Sequence, residues 1–152
     1  MLGLLIIAHA PLASALKAVA QHTFPEGAVA VEALDVSPQA PVEHVEMAGR
    51  ELLSQIGARE VLILTDVFGA TPCNIAQRIA AQCDGKLVKV VAGLSVPMLW
   101  RALSYAHEGL DTVVERAVAG ATQGVIQVAF SRPQNQPSKL GPHDSNQHHH
   151  QQ

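Results

Sequence analysis

LILTDVFGATPCNIAQRI, residues 62–79, decides the fold of this chain. Residues 60–66 have the length and the aliphatic content of a buried strand, and the text then turns polar and flexible through Asp66, Gly69 and Thr71. Pro72 follows. A proline is at home in the first helical turn, where its missing N–H would have had no partner, and Thr71 just before it is a suitable N-cap. Ile75, Ile79 and Cys83 then recur every fourth residue, which predicts a helix with one buried face. A strand that runs through a short loop into a helix is the repeating unit of a parallel sheet.

The same unit recurs on both sides. Residues 2–8, 28–36 and 86–92 read as further strands, and the segments between them have the right length for helices. Val42, Val45, Gly49, Leu52, Leu53 and Ile56 mark one helical face, with Glu43, His44, Glu46, Arg50 and Glu51 falling between them. Val113, Val114, Ala117, Val118 and Ala121 mark another near the end. The β-α-β-α order predicts an α/β fold, an open parallel four-stranded sheet with helices on both faces. Its strand order is 2-1-3-4 if the second strand lies outside the first. Residues 125–130 read as a short fifth strand with no evident partner, so the folded domain is expected over 1–130. Residues 131–152 are rich in Pro, Gln and His and are expected to be a disordered tail, with His148, His149 and His150 solvated rather than gathered around a metal.

Composition agrees. A length of 152 residues suits one domain, and 48% apolar content with only 3% aromatics requires a core of Val, Leu, Ile and Ala, as parallel sheets have. Ten Lys and Arg against 13 Asp and Glu give a net charge of −3, which leaves no basic footprint for nucleic acid. No apolar run reaches the roughly 18 residues of a membrane span, and no basic leader opens the chain, so a cytoplasmic protein is expected. Cys73 and Cys83 fit no paired pattern and read as reduced thiols.

In such sheets ligands bind beyond the carboxyl ends of the strands, where strand order reverses. The text after the first, third and fourth strands is AHAP, TDVFGATPCN and AGLSVPML, each with a proline at an expected helix start; Ser95 before Pro97 is a second candidate cap. Order 2-1-3-4 puts the switch point between the first and third strands and brings His9 to Asp66. A carboxylate on one ring nitrogen would fix the tautomer, leave the other nitrogen as a nucleophile and stabilise positive charge on the ring. Gly69 would let backbone approach, and the free N–H groups at Cys73 and Asn74 would favour an anion. Together these parts fit phosphoryl transfer to a histidine. Each part also has a plainer reading: His9 as a structural strand-end residue, Asp66 as a turn acceptor, Gly69 as a turn, Cys73 as packing. The combination at one predicted switch point favours a site. Arg78 and Arg101 are the cations nearest to it, and a solvated helix face is the simpler reading of Arg78. A phosphatase would need a stronger basic clamp, whereas a relay needs phosphate held loosely. Phe68, Pro97 and Met98 read equally as a docking rim or as core, and Trp100 as core or dimer contact.

LLIIAHA (residues 4–10), LILTDVFGATPCNIAQRI (62–79) and VAGLSVPML (91–99) resemble the enzyme IIA domain of the mannose family of the bacterial phosphoenolpyruvate:sugar phosphotransferase system, over about residues 1–130. The resemblance implies an α/β homodimer in which residues 125–130 form a strand exchanged between subunits. It implies that His9 accepts a phosphoryl group from the phosphocarrier HPr and passes it to a histidine of a separate enzyme IIB, with Asp66 orienting His9. It further implies that Phe68, Gly69, Ala70, Thr71 and Asn74 frame the phosphate, and it calls for no cofactor or metal. The family often has glycine where this chain has Ala10 and Ala70. Two neighbouring roles stay open: a regulatory IIA that signals by phosphorylation-dependent binding of a partner, and, ranked lower, the phosphoryl-donor subunit of dihydroxyacetone kinase.

Overall fold

A computed structural model of the protein describes residues 1–27 and 29–130. Its elements alternate as the sequence pattern requires: β1 (Gly3–His9), α1 (Leu12–Thr23), β2 (Val31–Val36), α2 (Val42–Gln55), β3 (Glu60–Thr65), α3 (Thr71–Ala81), β4 (Leu87–Ala92), α4 (Val96–Ser104) and α5 (Leu110–Gln123). All strand pairs are parallel and the order is β2-β1-β3-β4, so the expected α/β sheet and its switch point are present.

The two central strands explain the packing. Alternate residues of a strand face opposite sides of the sheet. Leu4, Ile6 and Ala8 of β1 join Leu62 and Leu64 of β3 against α1, α4 and α5, while Leu5, Ile7, Val61 and Ile63 pack against α2 and α3. Every one of these side chains is buried, and each contributes on the order of 2 kcal/mol of hydrophobic stabilisation if it is as large as leucine.

Several element ends differ from the sequence reading. β2 starts at Val31 rather than at residue 28, which lies outside the described residues. β2 is an edge strand that pairs only with β1; their paired register begins at Leu4 with Val31, and Leu4 N–H donates to the Ala30 carbonyl just before it at 2.8 Å. β1 extends to His9, whereas β3 stops at Thr65 and leaves Asp66 in the loop. Thr71 is not the cap of α3: Ala70 holds that place in an extended conformation, Asn74 N–H donates to the Ala70 carbonyl at 3.0 Å, and no side chain caps the helix. Ser95 does cap α4, its hydroxyl accepting from the Met98 N–H at 3.3 Å.

Helices α4 and α5 meet at small residues. A Cβ on Gly120 would stand 2.4 Å from Arg101 Cγ and 2.9 Å from the Pro97 carbonyl oxygen, and that carbonyl is backbone that cannot swing away. Gly120→Ala should therefore push the helices apart. A destabilisation of about 1–2 kcal/mol is expected in urea unfolding, the overpacking exceeding the gain in helix propensity. An unchanged midpoint would show that the pair separates freely.

Residues 125–130 form no strand within the chain, and Val125, Ile126, Val128 and Phe130 are largely exposed. The expected tail, residues 131–152, lies outside the described residues. No helix among the described residues is long and apolar enough to cross a membrane.

Candidate functional site

His9 is the last residue of β1 and Asp66 the first after β3, so adjacent strand ends deliver both to the switch point. Asp66 Oδ2 accepts two hydrogen bonds from His9, one from the backbone N–H at 2.9 Å and one from Nδ1 at 2.7 Å. Its other oxygen accepts the Val67 N–H at 2.9 Å. The two backbone N–H groups are donors, and an ionised carboxylate, which can only accept, makes Nδ1 the third. The other ring nitrogen, Nε2, belongs to a side chain that is 50% exposed, while the Asp66 side chain is only 10% exposed. An exposed imidazole is thus held by a sheltered carboxylate.

Partial burial by itself would raise the Asp66 carboxyl pKa, but the hydrogen bonds from the His9 backbone and ring and from Val67, with the charge of His9, outweigh it. The net pKa lies below the usual aspartate value. A carboxyl depressed on folding adds stability above its unfolded pKa, and this contribution is lost as the pH falls through the lower folded value.

The loop that follows Asp66 runs through Phe68, Gly69 and Ala70 into α3, which carries Thr71 and Asn74. Gly69 has φ +82°, a left-handed conformation that side chains disfavour, and a Cβ there would meet nothing within 4 Å; the glycine serves the turn and not a close contact. Asn74 Nδ2 donates to the Gly69 carbonyl at 3.4 Å and ties the helix start to the turn. The first turn of α3 carries no acidic residue and no capping side chain; of the two N–H groups expected to be free, that of Asn74 is taken by the Ala70 carbonyl at 3.0 Å, because it makes the first helical bond, which leaves the N–H of Cys73 and the positive end of the dipole to an anion. Along β1, Leu5 and Ile7 face the layer that contains α3, and His9 is the next member of that series.

The model of a family described as EIIA-man, PTS system fructose IIA component, matches residues 3–118. The chain belongs to that family. Solved structures share the fold of this IIA protein. Component EIIA of the phosphotransferase system from Streptococcus agalactiae is 22% identical over 84% of this chain and 97% of its own, with a TM-score of 0.74. The mannose/sorbose-specific IIA subunit from Enterococcus faecalis is 21% identical over 86% of this chain and 96% of its own, also at 0.74. The IIA protein associated with the fucose utilisation operon of Streptococcus pneumoniae is 24% identical over 83% and 92%, at 0.66.

Neither Ala10 nor Ala70, where the resemblance implies glycine, has a positive φ. No residue other than glycine has a positive φ among the described residues, and Ala70 sits at φ −83°, where a Cβ causes no strain. Phe68 stands almost fully exposed at the tip of the loop, with Val67 and Leu12 also exposed. Met98 is buried and belongs to the core, Pro97 is half-buried, and Trp100 is partly exposed. Arg78 is turned to Glu46 on α2 at 3.7 Å, which Arg50 also engages at 2.6 Å, and Arg101 packs against Gly120. Neither arginine contacts His9 or Asp66.

The sequence reading passed over Asp35 and Ser14. Ser14 N–H and Oγ–H donate to the two oxygens of Asp35, at 3.1 and 2.5 Å. An acidic residue one place before the end of an edge strand was the available signal, but nothing in the spacing tied it to the helix start 21 positions away.

Proposed function

We propose that this IIA protein is a phosphocarrier. It takes a phosphoryl group from phospho-HPr onto His9 Nε2 and passes it to a histidine of an enzyme IIB partner in sugar uptake. The observation that carries the reading is the 2.7 Å contact between His9 Nδ1 and Asp66, on a ring whose other nitrogen is open to a partner protein. In the forward step the Nε2 lone pair forms a bond to phosphorus as the donor's N–P bond breaks, and the donor ring leaves with that electron pair. Positive charge develops on the His9 ring against the Asp66 carboxylate. The phosphoryl oxygens then face the uncapped start of α3 and the loop of Phe68, Gly69, Ala70, Thr71 and Asn74.

The cations support a relay over a phosphatase. With Arg78 held by Glu46, the phosphoryl group meets backbone N–H groups and a helix end rather than a fixed guanidinium, and so leaves readily for the next histidine. Exposed Phe68, Val67 and Leu12 offer the donor and acceptor an apolar contact beside His9. The relay places the protein in the cytoplasm. The homodimer is part of the same reading: β4 is an edge strand, and the apolar, unpaired residues 125–130 supply a strand for a second copy.

The test is transfer in vitro from phosphoenolpyruvate through enzyme I and HPr, followed by intact mass. One added phosphate on the wild-type chain, and its loss when IIB is added, is the expected result. No added phosphate beside a IIA that accepts in parallel would overturn the reading.

A further inference from the structure

We propose that Asp35 is a positioning residue for His9, acting through the first turn of α1. The inference rests on the reading of His9 as the nucleophile. Helix α1 begins immediately after the active-site turn, and its N-cap position is Pro11, whose side chain supplies no hydrogen bond. The missing cap comes instead from the neighbouring strand: Asp35 of β2 accepts the Ser14 N–H at 3.1 Å and the Ser14 hydroxyl at 2.5 Å. The Ser14 oxygen also lies 3.1 Å from the Pro11 carbonyl, which accepts the Ala15 N–H at 3.1 Å. One residue earlier, Ala10 N–H donates to the Val36 carbonyl of the same strand at 3.1 Å.

His9 to Pro11 is therefore clamped from both sides. Asp66, next to β3, holds the backbone and ring of His9, and β2 holds Ala10 through Val36 and α1 through Asp35. Ring orientation depends on both anchors, because the imidazole can swing only as far as the backbone that carries it. The Asp35 carboxylate also occupies the positive end of α1, whereas α3 has no side-chain cap. Of the two helix starts beside His9, only that of α3 is left open to a phosphoryl group.

Asparagine and alanine separate geometry from charge. In Asp35→Asn the amide oxygen still accepts the Ser14 N–H, and the amide NH2 donates to Ser14 Oγ while the hydroxyl turns to Pro11, so the clamp survives without the carboxylate. In Asp35→Ala both contacts go. The measurement uses phosphoramidate, a small-molecule phosphoryl donor that needs no protein partner, together with 15N spectra of the His9 ring. Asp35→Ala should accept phosphate about tenfold more slowly, the cost of a slightly misplaced nucleophile, and its ring should show a larger share of the Nε2–H tautomer. Asp35→Asn should stay within about twofold of wild type in both readouts.

A wild-type rate and tautomer in Asp35→Ala would overturn the proposal. Equal losses in the Asn and Ala variants would also overturn it, since charge rather than hydrogen-bonded placement would then be the agent. If Asp35→Ala does not fold, Ser14→Ala, which removes only the hydroxyl, should shift the tautomer in the same direction by less, and no shift would overturn the proposal. The ring spectra decide the role of Asp35 even if wild type accepts no phosphate, in which case the phosphocarrier reading alone fails.

Discussion

His9→Ala is expected to abolish phosphate acceptance completely, with intact mass showing one added phosphate on wild type and none on the variant. The change should leave the fold in place. The side chain is 50% exposed and fills no core position, and the backbone N–H at position 9 still donates to Asp66 Oδ2 at 2.9 Å when the ring is gone. What disappears is one charge-assisted hydrogen bond at the surface, worth about 1 kcal/mol, so the urea midpoint should move little. Loss of acceptance with an unchanged midpoint assigns the phosphate to His9. Continued acceptance would move the nucleophile elsewhere and remove the basis for the relay.

Asp66→Asn should have the second largest effect, slowing phosphoryl transfer by about 10²-fold or more. The carboxylate accepts from three donors, with Oδ2 serving His9 twice and Oδ1 serving Val67. An amide has one acceptor oxygen. Either the Val67 N–H or the two His9 donors must then face an NH2 group, and the ring loses both its tautomer lock and the anion that stabilises its developing charge. Rapid-quench measurement of single-turnover transfer would show this as a fall in the maximal rate, with little change in the donor concentration needed for half saturation. A normal rate would mean that Asp66 only supports the turn. The same variant should flatten the acid limb of the stability profile. In wild type the Asp66 contribution is present above the ordinary aspartate pKa and fades as the pH falls through its depressed folded value, and the amide has no such titration.

Two further expected results, the cost of Gly120→Ala and the split between the Asp35 variants, concern the scaffold around this pair. They separate placement from chemistry: the first disturbs α4 against α5 far from the nucleophile in sequence, and the second loosens the turn that carries it.

The sequence by itself determined the sheet. Runs of Leu, Ile and Val too short for helices, separated by segments with apolar residues every third or fourth position, admit one economical packing, and the prolines at 11, 72 and 97 mark the helix starts within about a residue. The switch point, and with it the meeting of His9 and Asp66, follows once the first and third strands are neighbours, a condition the sequence reading assumed and the sheet meets. The motif of residues 62–79 placed the chain among IIA domains, which the match over residues 3–118 bears out.

Only the tertiary structure decided the rest, and the reason is the same in each case: the deciding partner is distant along the chain. Met98 is core because it joins the buried cluster between the sheet and α1, α4 and α5, whereas Phe68, equally apolar, is exposed on its loop. Arg78 lies one turn beyond Asn74, but its guanidinium stands 3.7 Å from Glu46 of α2. Thr71 has the chemistry of a cap, yet the turn at Gly69 places Ala70 at the helix boundary and leaves α3 uncapped. Asp35 gave no sign in its own neighbourhood, because its partner Ser14 reaches it only when β2 lies beside β1. Local pattern fixes what each segment becomes, since periodicity acts over a few residues. Which polar groups meet depends on how the segments are stacked.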